Sequence, residues 1–180
     1  LEIVYSENSP VNELREIKRF IEEKKDLVIL NPANSHAASR GMILLNEAKI
    51  PVITVDREVL RGEVESLIGS NNLLGGTIAG KYLKENLERG AVVIELQGDY
   101  DTTASANRSL GFNQAAIGNF SKVLRKNGRF QRERSYEIIK RTLSEEAEID
   151  GIFAHNDQSA LGALQAVEES GRNILVVGFD

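Results

Sequence analysis

The sequence contains no cysteine, which excludes disulfide frameworks, zinc–thiolate sites and cysteine nucleophiles together. It leaves the redox compartment open, since a disulfide-free chain can live in either environment. No apolar run approaches the roughly 20 residues that a helix needs to span a bilayer. Only two histidines occur, His36 and His155, and without an H-x-x-x-H spacing they do not outline a metal centre. There is no G-x-S-x-G elbow, and no Ser or Thr is recognisably paired with a His and an acid. Catalysis has no positive signal, and the chain reads as a non-enzyme. An excess of positive charge is missing too. Twenty-two Lys plus Arg stand against 27 Asp plus Glu, a net charge of -5, which argues against a nucleic-acid surface. Charge runs such as Arg132-Glu133-Arg134 mix signs and read as solvated helix faces.

What is present is an alternation of apolar strands and amphipathic helices over 180 residues, 41% of them hydrophobic. The pattern predicts strands at 1–5, 27–30, 51–55, 66–69, 91–96, 122–124, 151–154 and 174–179. It predicts helices over 11–23, 37–49, 74–87, 103–117, 132–143 and 158–169. Nearly continuous apolar strands between helices indicate α/β architecture with parallel sheets covered on both faces. The expected boundary falls near Ser70-Asn71, giving an N-terminal lobe over 1–70 and a C-terminal lobe over 71–180. Both ends, a strand-like run at Leu1 and a strand stopping at Asp180, read as those of an internal fragment.

Three strands end in polar residues. Val52-Ile53-Thr54-Val55 runs into Asp56-Arg57, Ile152-Phe153-Ala154 into His155-Asn156-Asp157, and Val176-Val177-Gly178-Phe179 into Asp180. In open parallel sheets ligands bind beyond the carboxyl ends of strands, so these residues outline a polar small-molecule site. Each has a plainer alternative. Asp56-Arg57 could be a structural ion pair. Asp157 could cap the next helix and leave Asn156 facing the crevice. Arg108 could make a surface salt bridge, and Phe130 could belong to the core. His155 could line a pocket or fill space, and His36 could be a surface or cap residue. Gly75-Gly76-Thr77-Ile78-Ala79-Gly80-Lys81 nearly matches a phosphate-binding loop. Tyr82 stands where the magnesium-binding hydroxyl would be, and the spacing is helical, so small residues for close helix packing are the better reading.

The ordered series is more specific than its parts. Asp56-Arg57-Glu58, Ser70-Asn71-Asn72-Leu73-Leu74-Gly75-Gly76 and Val93-Ile94-Glu95-Leu96-Gln97-Gly98 are followed by Arg108-Ser109-Leu110-Gly111-Phe112. Asn156-Asp157-Gln158-Ser159-Ala160-Leu161-Gly162-Ala163 and Val177-Gly178-Phe179-Asp180 complete it. Over essentially its whole length the chain resembles the type I periplasmic binding proteins, the sugar-binding components of bacterial ABC importers, with ribose binders foremost. The resemblance implies two doubly wound parallel-sheet lobes that close on a monosaccharide, the first lobe lacking the family's first strand and helix. It implies sugar contacts from Asp56, Arg57, Arg108, Asn156 and Asp180, with Phe130 stacking on the ring. It also implies a membrane ABC permease as partner, a monomer, a periplasmic or envelope-anchored location, and no cofactor or metal. Asn71 stands where relatives often carry Asp. The effector-sensing domain of a LacI-type repressor shares the fold and is the rival reading. Glu88-Arg89-Gly90 and Glu95-Leu96-Gln97-Gly98 look more like the transport branch.

Overall fold

The computed structural model describes residues 1–179, and seven strands and six helices follow one another along them, alternating except at one pair of consecutive strands. The chain packs as two compact units, one of residues 1–70 with 101–104, the other of 71–100 with 105–180.

In the first unit, α1 (Pro10–Glu22) starts on Ser9, whose side chain accepts from the Asn12 amide, with Pro10 in the first turn where its missing N–H costs nothing. Strands β1 (Val28–Leu30), β2 (Val52–Val55) and β3 (Ser66–Ile68) form a parallel sheet in that order, with α2 (Ala38–Glu47) between β1 and β2. Ile17 of α1 and Met42 and Leu45 of α2 pack on Val28, Leu30 and Val52. Successive strand side chains point to opposite faces, so Ile29 lies away from this core and is 60% exposed. The predicted strand over 1–5 does not form. An apolar alternation makes a strand only when a neighbour accepts its ladder, and β1 pairs with β2 alone. A cleft of about 650 Å³ separates residues 4–8 from β1 and is lined by Ile17, Phe20, Ile29 and Pro32.

The second unit is built on β4 (Val92–Gln97), β5 (Lys122–Asn127), β6 (Gly151–Ala154) and β7 (Leu175–Val177), all parallel, in the order β5-β4-β6-β7. The order reverses between β4 and β6, which makes their carboxyl ends the switch-point crevice of a doubly wound sheet. Helices α3 (Asn72–Asn86) and α4 (Thr103–Ala116) cover one face, where Ala79, Leu83 and Phe112 meet Val93 and Phe153. Helices α5 (Arg132–Glu145) and α6 (Asp157–Ser170) cover the other, where Ile139, Ala163 and Val167 meet Ile94, Leu96 and Ile152. Strand β5 runs three residues past its predicted end, through Arg125, Lys126 and Asn127. As an edge strand it carries charged side chains of the kind that discourage edge-to-edge pairing, and these hide it from an apolar pattern. β7 is shorter than predicted at both ends.

The glycine-rich stretch lies within α3, which is capped by the Asn71 side chain. A Cβ at Gly76 would collide with the backbone carbonyl of Arg108, one at Gly111 with that of Leu73, and one at Gly80 would come 2.8 Å from Ala115. These glycines let α3 and α4 touch backbone to backbone, and that contact fixes the height of Arg108. Gly76→Ala is expected to lower stability by about 1–3 kcal/mol, the usual cost of overpacking. Urea unfolding measures it, and an unchanged midpoint would show that the helices part freely.

Candidate functional site

At the carboxyl end of β2, the Asp56 amide donates to the Ile68 carbonyl and the Arg57 amide folds back onto the Val55 carbonyl at 2.7 Å. Asp56 therefore centres a γ-turn at φ +66°, a strained conformation for a non-glycine residue. Its side chain is half exposed. Arg57 Nη1 donates to the carbonyls of Pro32 and Ala33 at 3.1 and 3.0 Å, while its Nε lies 3.7 Å from Asp56. The ion pair is loose, and the better part of the Arg57 anchorage comes from the loop after β1. The same loop is held from beneath by Glu13, whose carboxylate accepts from the Ala33 amide at 2.6 Å. Burial pushes the Glu13 carboxyl up, opposed by that hydrogen bond and by Arg57. Sequence reasoning missed Glu13. The signal was its spacing of four from Ile17, which puts an acid on the buried face of α1.

In the second unit Gly98, His155, Asn156, Arg108 and Phe130 gather at the carboxyl ends of β4 and β6. Arg108 is not a surface residue. It is 5% exposed, its Nε donates to Asn72 Oδ1 at 2.7 Å, and its Nη1 donates to the carbonyl of His155. Its guanidinium lies 4.2 Å from the centre of the Phe179 ring and 5.9 Å from that of Phe130. Phe130 is half-buried rather than core. It follows Arg129, and both occupy the left-handed region at φ +61° and +55°, which is unusual for a bulky side chain. Its ring rests on Gly98, where a Cβ would collide with it. Asn156 is the helix cap in place of Asp157. Its Oδ1 accepts from the Ser159 amide at 3.0 Å, and its Nδ2 reaches the Phe130 carbonyl at 3.4 Å. The cap position moves by one residue, a usual uncertainty at helix ends. Asp180 lies outside the described residues.

Beneath these residues is a buried polar network. Glu95 is 0% exposed and points to the α4 side of the sheet. Its Oε1 accepts from Gln97 Nε2 at 3.2 Å and lies 3.2 Å from His155 Nε2. Its Oε2 accepts from Asn113 at 3.3 Å and from Arg125 Nε at 3.1 Å. Burial pushes the Glu95 carboxyl up, but the hydrogen bonds from His155, Ser109 and Gln97 outweigh it and hold it below the ordinary range. Ser105 Oγ stands 3.3 Å from His155 Nδ1, so a Ser, a His and an acid do converge, contrary to the sequence reading. All three are buried, and the Gly98 amide already donates to the same Nδ1 at 3.2 Å. The hydroxyl has neither substrate access nor a free base beside it, and the arrangement does not restore a catalytic reading. His36 is exposed, and the turn before α2 is closed by Asn34. No group of three or more His, Cys, Asp or Glu that could hold a metal occurs among the described residues.

A family model described as a periplasmic binding protein domain matches residues 1–180. The ribose import binding protein of Escherichia coli (strain K12) is 38% identical over 182 residues, covering 100% of this chain and 62% of that protein. That of Bacillus subtilis (strain 168) is 34% identical over 178 residues, covering 99% and 58%. The chain therefore spans about three-fifths of the length of these curated relatives. Among solved structures, the fructose-binding periplasmic domain of a hybrid two-component system superposes with a TM-score of 0.93 at 27% identity, over 99% of this chain and 61% of that one. The periplasmic binding protein component of an arabinose ABC transporter from Shewanella sp. ANA-3, bound to L-arabinofuranose, gives 0.87 at 28% identity, over 94% and 60%.

Proposed function

The chain belongs to the periplasmic binding protein family, and from that premise we propose that it captures a monosaccharide of the ribose class for an ABC importer. The two compact units are its lobes. Asp56 and Arg57 on the first, and Arg108, Phe130, Asn156 and Asp180 on the second, are the groups that grip the sugar. Carboxylates accept from vicinal hydroxyls, guanidinium groups donate in a fork, and the Asn amide does both. Phe130 offers a flat apolar face to the ring. The protein works in the periplasm or at the cell envelope, turns nothing over, and delivers its cargo to a membrane permease.

The observation that carries this reading is Arg108, buried and preset by Asn72, His155 and Phe179 at the switch-point crevice. A cation fixed in this way is ordered before any ligand arrives, which lowers the entropic cost of binding. The left-handed backbone at Asp56 and Phe130 adds support, since such strain concentrates at ligand clamps.

A thermal-shift screen of the full-length protein against pentoses, hexoses and their furanose-forming relatives tests the proposal. At a thousandfold excess over Kd a bound sugar stabilises by about 4 kcal/mol, a readily measured rise in melting temperature. D-ribose is expected to give the largest rise. A screen in which no monosaccharide moves the midpoint would overturn the assignment.

A further inference from the structure

We infer that His155 is a positioning residue for the second unit's sugar contacts, its neutral ring holding Gly98 beneath Phe130 and so fixing the backbone that receives Arg108 and leads into Asn156, and that sugar affinity falls in mild acid. The inference rests on the sugar-binding reading above and adds to it a residue and a pH response.

The ring is 0% exposed. Its Nδ1 receives the Gly98 amide at 3.2 Å, and a backbone N–H can only donate, so Nδ1 carries no proton. In the neutral ring the proton is then on Nε2, which faces Glu95 Oε1 at 3.2 Å. The ring reaches one proposed sugar contact through Gly98, and the backbone of the same residue reaches two others. The His155 carbonyl accepts from Arg108 Nη1. Asn156 is the next residue and caps α6. Gly98 is the surface on which the Phe130 ring rests. The His155 amide donates to the Leu96 carbonyl at 3.0 Å and fixes the residue to β4.

Adding a proton to Nδ1 turns the Gly98 contact into two opposed N–H groups. It also sets a second cation beside Arg108. Among the described residues, the charged groups acting on the ring are Glu95 from β4 and Arg108 from α4, with Arg125 of β5 behind Glu95. Burial is the largest influence and pushes the imidazole down, Arg108 adds to it, and Glu95 opposes both. His155 is therefore neutral at pH 7 and charges only below the ordinary histidine range of about 6.5.

The test is titration calorimetry of D-ribose on the full-length protein between about pH 7.5 and pH 5, above the ordinary carboxylate range, with the His155 variants as controls for the Glu13 carboxyl that burial pushes up. Wild-type affinity is expected to fall toward pH 5, and His155→Phe to weaken binding at pH 7.5 by roughly tenfold, the scale of one lost hydrogen-bonded position. His155→Asn, which keeps an acceptor for Gly98 and does not titrate, is expected to stay within roughly threefold of wild type at pH 7.5 and to show a flatter profile than wild type. Imidazole ¹⁵N shifts of the wild type, with His36 the only other histidine to assign, are expected to show the Nε2–H tautomer. A wild type that binds with pH-independent affinity, an Asn variant that keeps the wild-type profile, or a ring protonated at Nδ1 at pH 7.5 would each sink the positioning role while leaving sugar binding intact. A wild type that binds no monosaccharide but shows the Nε2–H ring sinks the sugar reading instead, and the role with it. If His155→Phe fails to fold, the wild-type profile and the Asn variant decide.

Discussion

Arg108→Ala is expected to weaken monosaccharide binding by about 1.5–3 kcal/mol, the range for a hydrogen bond to a charged group, or roughly 10–150-fold in Kd. The loss has two sources. The sugar loses a forked donor, and the crevice loses its frame, because Asn72 Oδ1 and the His155 carbonyl are left facing a hole. The Phe179 face loses its guanidinium partner as well. Arg108→Lys separates these contributions. A lysine restores the charge, but it cannot reach Asn72 and His155 in a plane or stack on Phe179. It is expected to recover less than half of the lost binding energy. Calorimetry on both variants, beside urea unfolding, measures the two effects. An alanine variant with wild-type affinity would remove Arg108 from the site, whatever its effect on stability.

Local pattern made most of the fold legible. Periodicity located all six helices, and β6 agrees with its prediction residue for residue. It failed where a strand depends on something distant. Residues 1–5 alternate correctly but have no ladder, while β5 continues through Arg125 and Lys126 because β4 supplies one. Strand-end polarity and the resemblance supplied the proposed contacts, Arg108 and Phe130 by resemblance alone. What holds these residues was not legible. Glu95 sits within a strand that reads as apolar, and its partners Asn113, Arg125 and His155 are 18, 30 and 60 positions away. A one-dimensional pattern shows a lone acid in a strand, and only pairing in space turns it into a satisfied buried charge. Likewise, the burial of Arg108 follows from the backbone contact of α3 and α4, which glycine content suggests but does not locate.

The buried charge yields the largest expected effect. Glu95→Ala removes the acceptor shared by Gln97, Asn113, Arg125 and His155. Breaking a fully buried pair by deleting one partner costs about 3–5 kcal/mol, and the lower end, about 3 kcal/mol, is expected here because Arg125 is half exposed and Gln97 and Asn113 keep Ser109 as a partner. That is a large part of the 5–15 kcal/mol holding an ordinary domain folded. Glu95→Gln keeps the volume and one acceptor oxygen, so it is expected to cost less than the alanine. Acid supplies a second measure. The folded Glu95 carboxyl is held low, so its stabilisation is complete above the unfolded value of about 4.3 and is lost as pH falls through the lower folded value. The folded His155 is also held low. Its unfolded form takes up a proton first, and stability declines as pH drops below about 6.5. The two groups act in the same direction. Wild-type urea midpoints are expected to fall from about pH 6.5 downward and more steeply below about 4.3, with the second decline flattened in Glu95→Gln. A wild-type decline that does not steepen below about pH 4.3, or an alanine variant within about 1 kcal/mol of wild type, would mean that Glu95 is not the anchor of this network. Because the same carboxylate holds the ring of the residue whose backbone carbonyl receives Arg108, the stability and the affinity of this unit are expected to weaken together in acid.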